Sequence, residues 1–178
     1  KLTEIVLGYS RDGFHWHRPD RRSFIAPSRK KNTWNQGYIH SAGGGCLVVG
    51  DKLYFYFGAW SGQSPQLGND MYAGGNTGLA ILRRDGFASL DADKSSGYIT
   101  TQPVRFKGHH LFVNLATPNG QLRTEILNEK GVPIEPFSKN NSISLQLDGT
   151  SCPIHWKGIA DLSRLAGQSV RFRFHLTN

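Results

Sequence analysis

The feature that most constrains this chain is the string Arg-Asp-Gly-Phe, which occurs at residues 11–14 and again at residues 84–87. Each copy follows a short run of apolar and β-branched residues. Asp-Gly between such runs is typical of a β-hairpin turn, because glycine adopts a positive φ without steric cost. The only helical candidate is the segment 160–166, which is at most two turns long. We therefore predict an all-β protein.

Strands joined by tight turns account for the first half of the chain. The predicted hairpins pair Glu4–Ser10 with Phe14–Arg18, Cys46–Gly50 with Leu53–Ala59, and Thr77–Arg83 with Phe87–Leu90. The run 53–57 is aromatic on both faces, so we expect it to be central in its sheet. The repeated turn string suits two successive antiparallel, blade-like sheets of a β-propeller.

A polar, turn-rich stretch at Asp91–Gly97 separates this half from a second set of strands. These are predicted at Tyr98–Thr101, His110–Ala116, Gln121–Leu127, Ser142–Leu147, Ile154–Trp156 and Ser169–Leu176, with one of the turns at Leu147–Gly149. Short strands at this spacing are typical of an antiparallel β-sandwich. We predict two domains, a partial β-propeller at residues 1–94 and a C-terminal β-sandwich at residues 95–178.

The charge of the chain bears on its partners. The net charge is +8, and the densest basic segment is Arg18–Lys31. A basic surface suits an ordinary soluble protein or a polyanion such as an acidic polysaccharide. The segment offers neither a helix for a nucleic-acid groove nor regularly spaced aromatic rings for base stacking, so we expect no nucleic-acid partner. No run approaches about 18 apolar residues, so we expect no membrane partner either.

Cysteine and histidine do not indicate a metal site. Cys46 and Cys152 lie in different predicted domains, and we expect both to be free, buried thiols. The histidines lack the spacing to carboxylates that metal ligation requires. The sequence also contains no phosphate-binding loop and no nucleophile elbow. We predict no metal and no cofactor.

Residues 10–16 have the form Ser-x-Asp-Gly-x-x-Trp. This string resembles a hairpin of the five-bladed β-propeller glycoside hydrolases, the superfamily that includes families 32 and 43, and also the Asp-box of sialidase propellers. Residues 44–58 and 78–87 look like the last blade of such an enzyme. Segments 100–103, 111–114, 120–133 and 156–174 resemble the β-sandwich that follows the propeller in bacterial members.

The resemblance implies a carbohydrate partner and, for complete members, hydrolysis of a glycosidic bond. Residues 1–94 are too few for five blades, and in these families the catalytic carboxylates come from early blades. The chain therefore looks like a fragment or a shortened relative, and its localisation stays open. Glycoside hydrolysis needs two carboxyl groups that face one bond. We carry over no catalytic residue, and Asp70, in a loop that could overhang a pocket, is the one candidate.

The sequence contains more residues that suit sugar binding than residues that suit catalysis. The segment 34–41 combines aromatic rings, amides, an imidazole and a hydroxyl just before three glycines that lead into a strand. Sugars are held by aromatic faces and by planar hydrogen-bonding groups. The candidate substrate-binding residues are Trp34, Gln36, Tyr38 and His40, together with Trp60 at the end of the next strand. In the alternative interpretation the segment is an ordinary loop, with Trp34 and Tyr38 in the core.

Two functions remain open from the sequence. The first is the C-terminal portion of a glycoside-hydrolase-like protein, carbohydrate-related and without catalysis of its own. The alternative is a non-catalytic module for glycan binding or oligomeric assembly. An incomplete propeller would expose strand edges and apolar sheet faces, so we expect self-association through exposed strand edges.

Overall fold

The computed structural model describes residues 2–66, 68–93 and 95–177. It confirms an all-β protein built of small antiparallel sheets, none of which closes on itself. The strands are β1 (Tyr9–Ser10), β2 (Trp16–His17), β3 (Tyr38–Ser41), β4 (Leu47–Val49), β5 (Lys52–Trp60), β6 (Gln63–Ser64), β7 (Gly68–Asn69), β8 (Gly75–Arg83), β9 (Gly97–Thr100), β10 (Phe112–Ala116), β11 (Gln121–Leu127), β12 (Asp148–Pro153) and β13 (Arg171–Thr177). A single 3₁₀ turn, Ser163–Leu165, interrupts them in the described part of the chain.

The chain divides into two compact units, unit 1 at Lys1–Arg84 and unit 2 at Asp85–Asn178. The sequence places its domain boundary ten residues further along, after Lys94, which lies outside the described residues.

The main sheet of unit 1 is organised around β5. β8 pairs with the whole length of β5, from Lys52 opposite Arg83 to Trp60 opposite Gly75. On the other edge of β5, β4 pairs with its first residues and β3 with its last residues. β5 is therefore central, as its aromatic pattern predicts.

The two faces of this sheet differ in burial. On the inner face, Ile39, Phe57 and Ala59 are buried and pack with Ile5 and Ile25. Because side chains alternate along a strand, Tyr38, His40 and Trp60 lie on the outer face. Register places six more apolar or aromatic side chains on that face. Tyr54 is half-buried, and five are exposed: Leu47, Val49, Tyr56, Leu79 and Ile81.

The turn of the first predicted hairpin is present, but its strands, predicted at Glu4–Ser10 and Phe14–Arg18, are reduced to the two-residue pair β1–β2. The Asp12 carboxylate accepts hydrogen bonds from the backbone N–H groups of His15 (2.8 Å) and Phe14 (2.9 Å) and from the Ser10 hydroxyl (3.0 Å). The Trp16 indole N–H donates to the Gly13 carbonyl at 3.2 Å. The Ser-x-Asp-Gly-x-x-Trp string therefore builds a self-contained turn.

Unit 2 consists of two sheets that share one core. β10 pairs with β12, and β13 lies between β11 and β9. Side chains from both sheets meet in a cluster of eleven buried residues: Leu115, Leu122, Ile126, Phe137, Cys152, Ile154, Trp156, Leu162, Leu165, Val170 and Phe172. This arrangement is that of a sandwich. Cys152 is buried in it, Cys46 in unit 1 is half-buried, and both are free.

Three predicted strands are wrong. Phe87–Leu90 forms no strand, and residues 142–147 contribute only isolated bridges at Ser142 and Leu145. The predicted turn at Leu147–Gly149 instead leads into β12, which ends at Pro153, before the predicted strand Ile154–Trp156 begins.

Gly149 lies opposite Leu115 where the β10–β12 register shifts, and a Cβ there would come within 2.9 Å of the Cys152 sulfur. This glycine permits a close approach in a bulged strand rather than a turn.

Candidate functional site

Aromatic side chains gather at one end of the outer face of unit 1. Tyr38 pairs with Trp60 across β3 and β5, and their ring centroids are 5.1 Å apart. The His40 ring lies 5.0 Å from Trp60 at an interplanar angle of 32°. Tyr72 completes the group, 5.5 Å from Tyr38 and 6.2 Å from Trp60. We call these four residues the aromatic cluster.

Glycines seat the Trp60 indole on the sheet. A Cβ at Gly58 would lie 2.8 Å from the Trp60 ring, and one at Gly75 would lie 3.1 Å from its Nε1. The ring therefore occupies space that other residues in β5 and β8 would fill. Trp60 is half-buried, so part of its surface remains open to a ligand.

The sequence gives no direct sign of Tyr72, because this residue lies in a loop without periodicity. The Asp70 carboxylate accepts a hydrogen bond from the Tyr72 backbone N–H at 2.8 Å, and the Asp70 carbonyl accepts one from Ala73 at 3.0 Å. This Asp-centred turn carries Tyr72 to the cluster. An Asp two residues before an aromatic residue is the one signal that could have indicated it.

A cleft of about 580 Å³ in unit 1 joins residues that are distant in sequence. Gln36, Tyr38 and Asp70 all line it, together with Ser28, Arg29 and Asn69. The Gln36 side-chain carbonyl accepts a hydrogen bond from the Asn32 backbone N–H at 2.8 Å, which fixes the amide. Tyr38 belongs to both the cleft and the aromatic cluster, so the two adjoin each other.

Trp34 does not lie with the other candidate sugar-binding residues of the outer face. Its ring lies 5.9 Å from Phe57, which is buried on the inner face of the sheet. Phe57 and Trp60 are three positions apart on β5 and therefore point to opposite faces. Trp34 therefore contacts the inner face while its side chain stays 45 % exposed, whereas Tyr38, His40 and Trp60 share the outer face.

Carboxylates are sparse at the cleft. Among the described residues that line it, Asp70 is the only carboxylate, and it is exposed. In the β1–β2 turn, hydrogen bonds from the His15 backbone, the His15 ring and the Phe14 backbone hold the pKa of Asp12 well below its ordinary value. Asp12 is therefore an ionised turn residue near neutral pH and cannot act as a general acid there.

Unit 2 contains one buried ionic group that the sequence does not indicate. Glu125 on β11 lies 3.2 Å from Arg173 and 2.9 Å from His175, both on the neighbouring β13. The Arg173 guanidinium also stacks on Tyr98 at 5.1 Å. Glu125, Arg173 and His175 are linked to one another through the Glu125 carboxylate within the sheet, so the arrangement is that of a structural network.

No group of three or more His, Cys, Asp and Glu side chains could hold a metal ion within the described residues. The same part of the chain contains no helix of the length and apolar character needed to cross a membrane. The chain matches no protein-family model, no curated protein and no solved structure. The likeness to propeller glycoside hydrolases therefore rests on the quoted motifs alone.

Proposed function

We propose that this chain binds carbohydrate in the cleft of unit 1, as the C-terminal portion of a glycoside-hydrolase-like protein that does not hydrolyse sugars on its own. The observation that carries the proposal is the meeting of Gln36, Tyr38 and Asp70 at one cleft. An amide, an aromatic ring and a carboxylate are the groups that bind the hydroxyls and the apolar faces of a sugar ring. The volume suits a ligand of one to a few sugar units.

The aromatic cluster extends this binding surface. Trp60 and His40 lie tilted at 32° to each other on the outer face, next to the Tyr38 ring that borders the cleft. A sugar seated in the cleft would bring its next unit over these rings. The expected interaction is packing of the apolar C–H face of the sugar ring against these rings.

Isothermal titration calorimetry against a panel of oligosaccharides tests the proposal. We expect Tyr38→Ala and Gln36→Ala to weaken binding at least fivefold. Tyr9→Ala is the matched control, because Tyr9 is an exposed tyrosine that packs on His17 in the β1–β2 hairpin. Binding that survives both cleft substitutions, or no binding to any oligosaccharide, would contradict the proposal.

The second part of the proposal is that the chain does not hydrolyse sugars on its own. Retaining and inverting enzymes need two carboxyl groups about 5 to 9.5 Å apart, and the cleft contributes Asp70 alone from the described residues. We expect no product from oligosaccharides or aryl glycosides by chromatography. Product formation that Asp70→Asn abolishes would show a hydrolase instead.

Assembly through unit 1 is the second candidate, and the exposed apolar side chains of the outer face favour it. The nine-residue strand β8 is also an outer strand of its sheet. A long edge strand beside an apolar face is a template for pairing with another chain. The partner would be a second copy, because the same edge and face on two copies form a self-complementary contact.

Light scattering after size-exclusion chromatography tests this assembly. We expect a dimer that Leu79→Lys disrupts, since Leu79 is exposed in the middle of β8. Val132→Lys is the control, because Val132 is an exposed apolar residue in unit 2. A monomer at high concentration would contradict assembly and leave the carbohydrate proposal intact.

A further inference from the structure

The charge of the protein is concentrated in unit 1. Residues 1–84 contain eleven Lys and Arg against five Asp and Glu, a net charge of +6 out of +8 for the whole chain. A positive field of this kind attracts anionic ligands and raises their association rate. The question is whether any of this charge is placed at the cleft.

Part of the basic segment Arg18–Lys31 is already neutralised. Arg22 forms an ion pair with Asp20 at 2.7 Å, which lowers the pKa of Asp20 to about 2. Arg18 donates a hydrogen bond to the Arg21 carbonyl at 2.9 Å and lies 3.9 Å from Glu4. Among the described residues, no such ion pair involves Arg29, Lys30 or Lys31.

Arg29 is held beside the cleft by the backbone. The Ser28 N–H donates to the Asn35 carbonyl at 3.1 Å, and the Gly37 N–H donates to the Ser28 carbonyl at 3.2 Å. These bonds fix Arg29 next to Gln36 and Tyr38, and all three line the cleft. Among the described residues that line the cleft, Arg29 is the only cationic one and is exposed, and its neighbours Lys30 and Lys31 do not line it.

We infer that the ligand of the cleft is an acidic glycan, whose carboxylate or sulfate group is bound by Arg29. This inference rests on the proposed carbohydrate function and names its substrate class. A guanidinium binds two oxygens of a carboxylate or of a tetrahedral oxyanion with two parallel hydrogen bonds, which gives both affinity and orientation. Asp70 accepts hydrogen bonds from sugar hydroxyls, so the cleft pairs an anion site with a hydroxyl site.

The carboxylate of Asp70 also separates this ligand from a nucleic acid. A phosphate backbone carries a charge at every nucleotide, so a strand running through the cleft would bring a phosphate close to Asp70. A glycan with isolated acidic groups can place one at Arg29 and neutral hydroxyls at Asp70. The observations therefore favour the glycan, and an oligonucleotide becomes one arm of the test.

The test measures dissociation constants by calorimetry at physiological salt. The probes are a galactose oligosaccharide with one galacturonic acid unit, a galactose oligosaccharide with one sulfate group, the neutral galactose oligosaccharide of equal length and a single-stranded DNA oligonucleotide. We expect at least one acidic glycan to bind about tenfold more tightly than the neutral one, and to bind more tightly than the DNA. The better of the two acidic probes distinguishes a carboxylate from a sulfate ligand.

Arg29→Gln should remove this preference and bring the acidic glycan to the affinity of the neutral one. Lys31→Gln is the matched control. It removes the same charge two residues along the chain from Arg29, and Lys31 does not line the cleft. We expect it to change affinity by less than about twofold, since an exposed charge outside the site acts only through a screened field.

Other outcomes separate the two proposals. Equal affinity for acidic and neutral glycans, unchanged by Arg29→Gln, would overturn this inference and leave carbohydrate binding intact. Equal weakening by Arg29→Gln and Lys31→Gln, with DNA bound as well as the glycan, would show general polyanion attraction and would also overturn it. Absence of binding to every glycan would overturn both.

Discussion

The two units of this protein differ in how they bury their sheets. In unit 2, two sheets enclose eleven buried core residues, and Ile126, Phe137 and Val170 have no measurable exposure. In the described residues of unit 1, the core cluster contains three buried residues, Ile39, Phe57 and Ala59, and the outer face of the main sheet stays open. Unit 2 therefore meets the requirement of a self-sufficient fold, whereas unit 1 has one packed face and one face available for contacts.

This difference suggests different roles for the two units: a stable core in unit 2 and a contact surface in unit 1. A closed core stabilises by burial, at about 25 cal/mol per Å² of apolar surface removed from water. An open face of aromatic and aliphatic side chains gains nothing from burial until a ligand or a partner covers it. The predictions below test this contrast, beginning with the largest expected effect.

Truncation of the unit 2 core should cost the most. Phe137 is fully buried, and its ring packs edge-on against Trp156 at 5.4 Å. Phe137→Ala should lower the free energy of unfolding by about 3–5 kcal/mol. Urea denaturation followed by Trp fluorescence measures this, with exposed Ile143→Ala as control. A loss below about 1 kcal/mol would mean that this core is loosely packed.

The inner face of unit 1 should be the next most sensitive. A Cβ at Gly78 would lie 2.3 Å from the buried Phe57 ring, which must then move. Gly78→Ala should destabilise unit 1 by about 1–3 kcal/mol because the core is overpacked. Thermal unfolding followed by circular dichroism tests this, and a melting temperature equal to that of the wild type would refute it.

Gly58→Ala on the outer face is the counterpart of Gly78→Ala on the inner face. A Cβ at Gly58 would contact Trp60, which is only half-buried and can tilt away. Gly58→Ala should cost less than about 1 kcal/mol of stability and weaken oligosaccharide binding several-fold. The same melting and titration experiments measure both effects. A loss of stability as large as that of Gly78→Ala would break the distinction between the two faces.

The smallest effect concerns the pH dependence of the β1–β2 hairpin. The lowered pKa of Asp12 means that its ionised form stabilises the folded turn. This contribution is complete well above the unfolded pKa of about 3.9, and it is lost as the pH falls below that value towards the folded pKa. Between pH 6 and pH 2, wild type should lose more stability than Asp12→Asn. Parallel stability profiles for the two proteins would count against this role.

Local turn chemistry made much of unit 1 predictable. The Asp12-Gly13 hairpin and the central strand β5 follow from turn residues and apolar runs, and both are present. The same rule failed at Asp148-Gly149, because that glycine serves a close approach to Cys152 rather than a turn. A tertiary contact of this kind leaves no trace in the local pattern.

The candidate site was predictable only in part. Tyr38, His40 and Trp60 could be grouped because strand alternation and pairing place them on one face. Tyr72 and Arg29 could not, since both reach the site through loops whose path depends on hydrogen bonds such as Ser28 to Asn35. Trp34 has the right chemistry for sugar contact, but it packs against Phe57 instead.

The most direct test of carbohydrate binding in unit 1 is a ¹H–¹⁵N correlation spectrum recorded during titration with an acidic oligosaccharide. We expect shifts confined to the amides of residues such as Gln36, Tyr38 and Asp70, and to the indole N–H of Trp60. The indole of Trp156, buried in unit 2, should not shift. An unchanged spectrum, or shifts centred on unit 2, would contradict carbohydrate binding in unit 1.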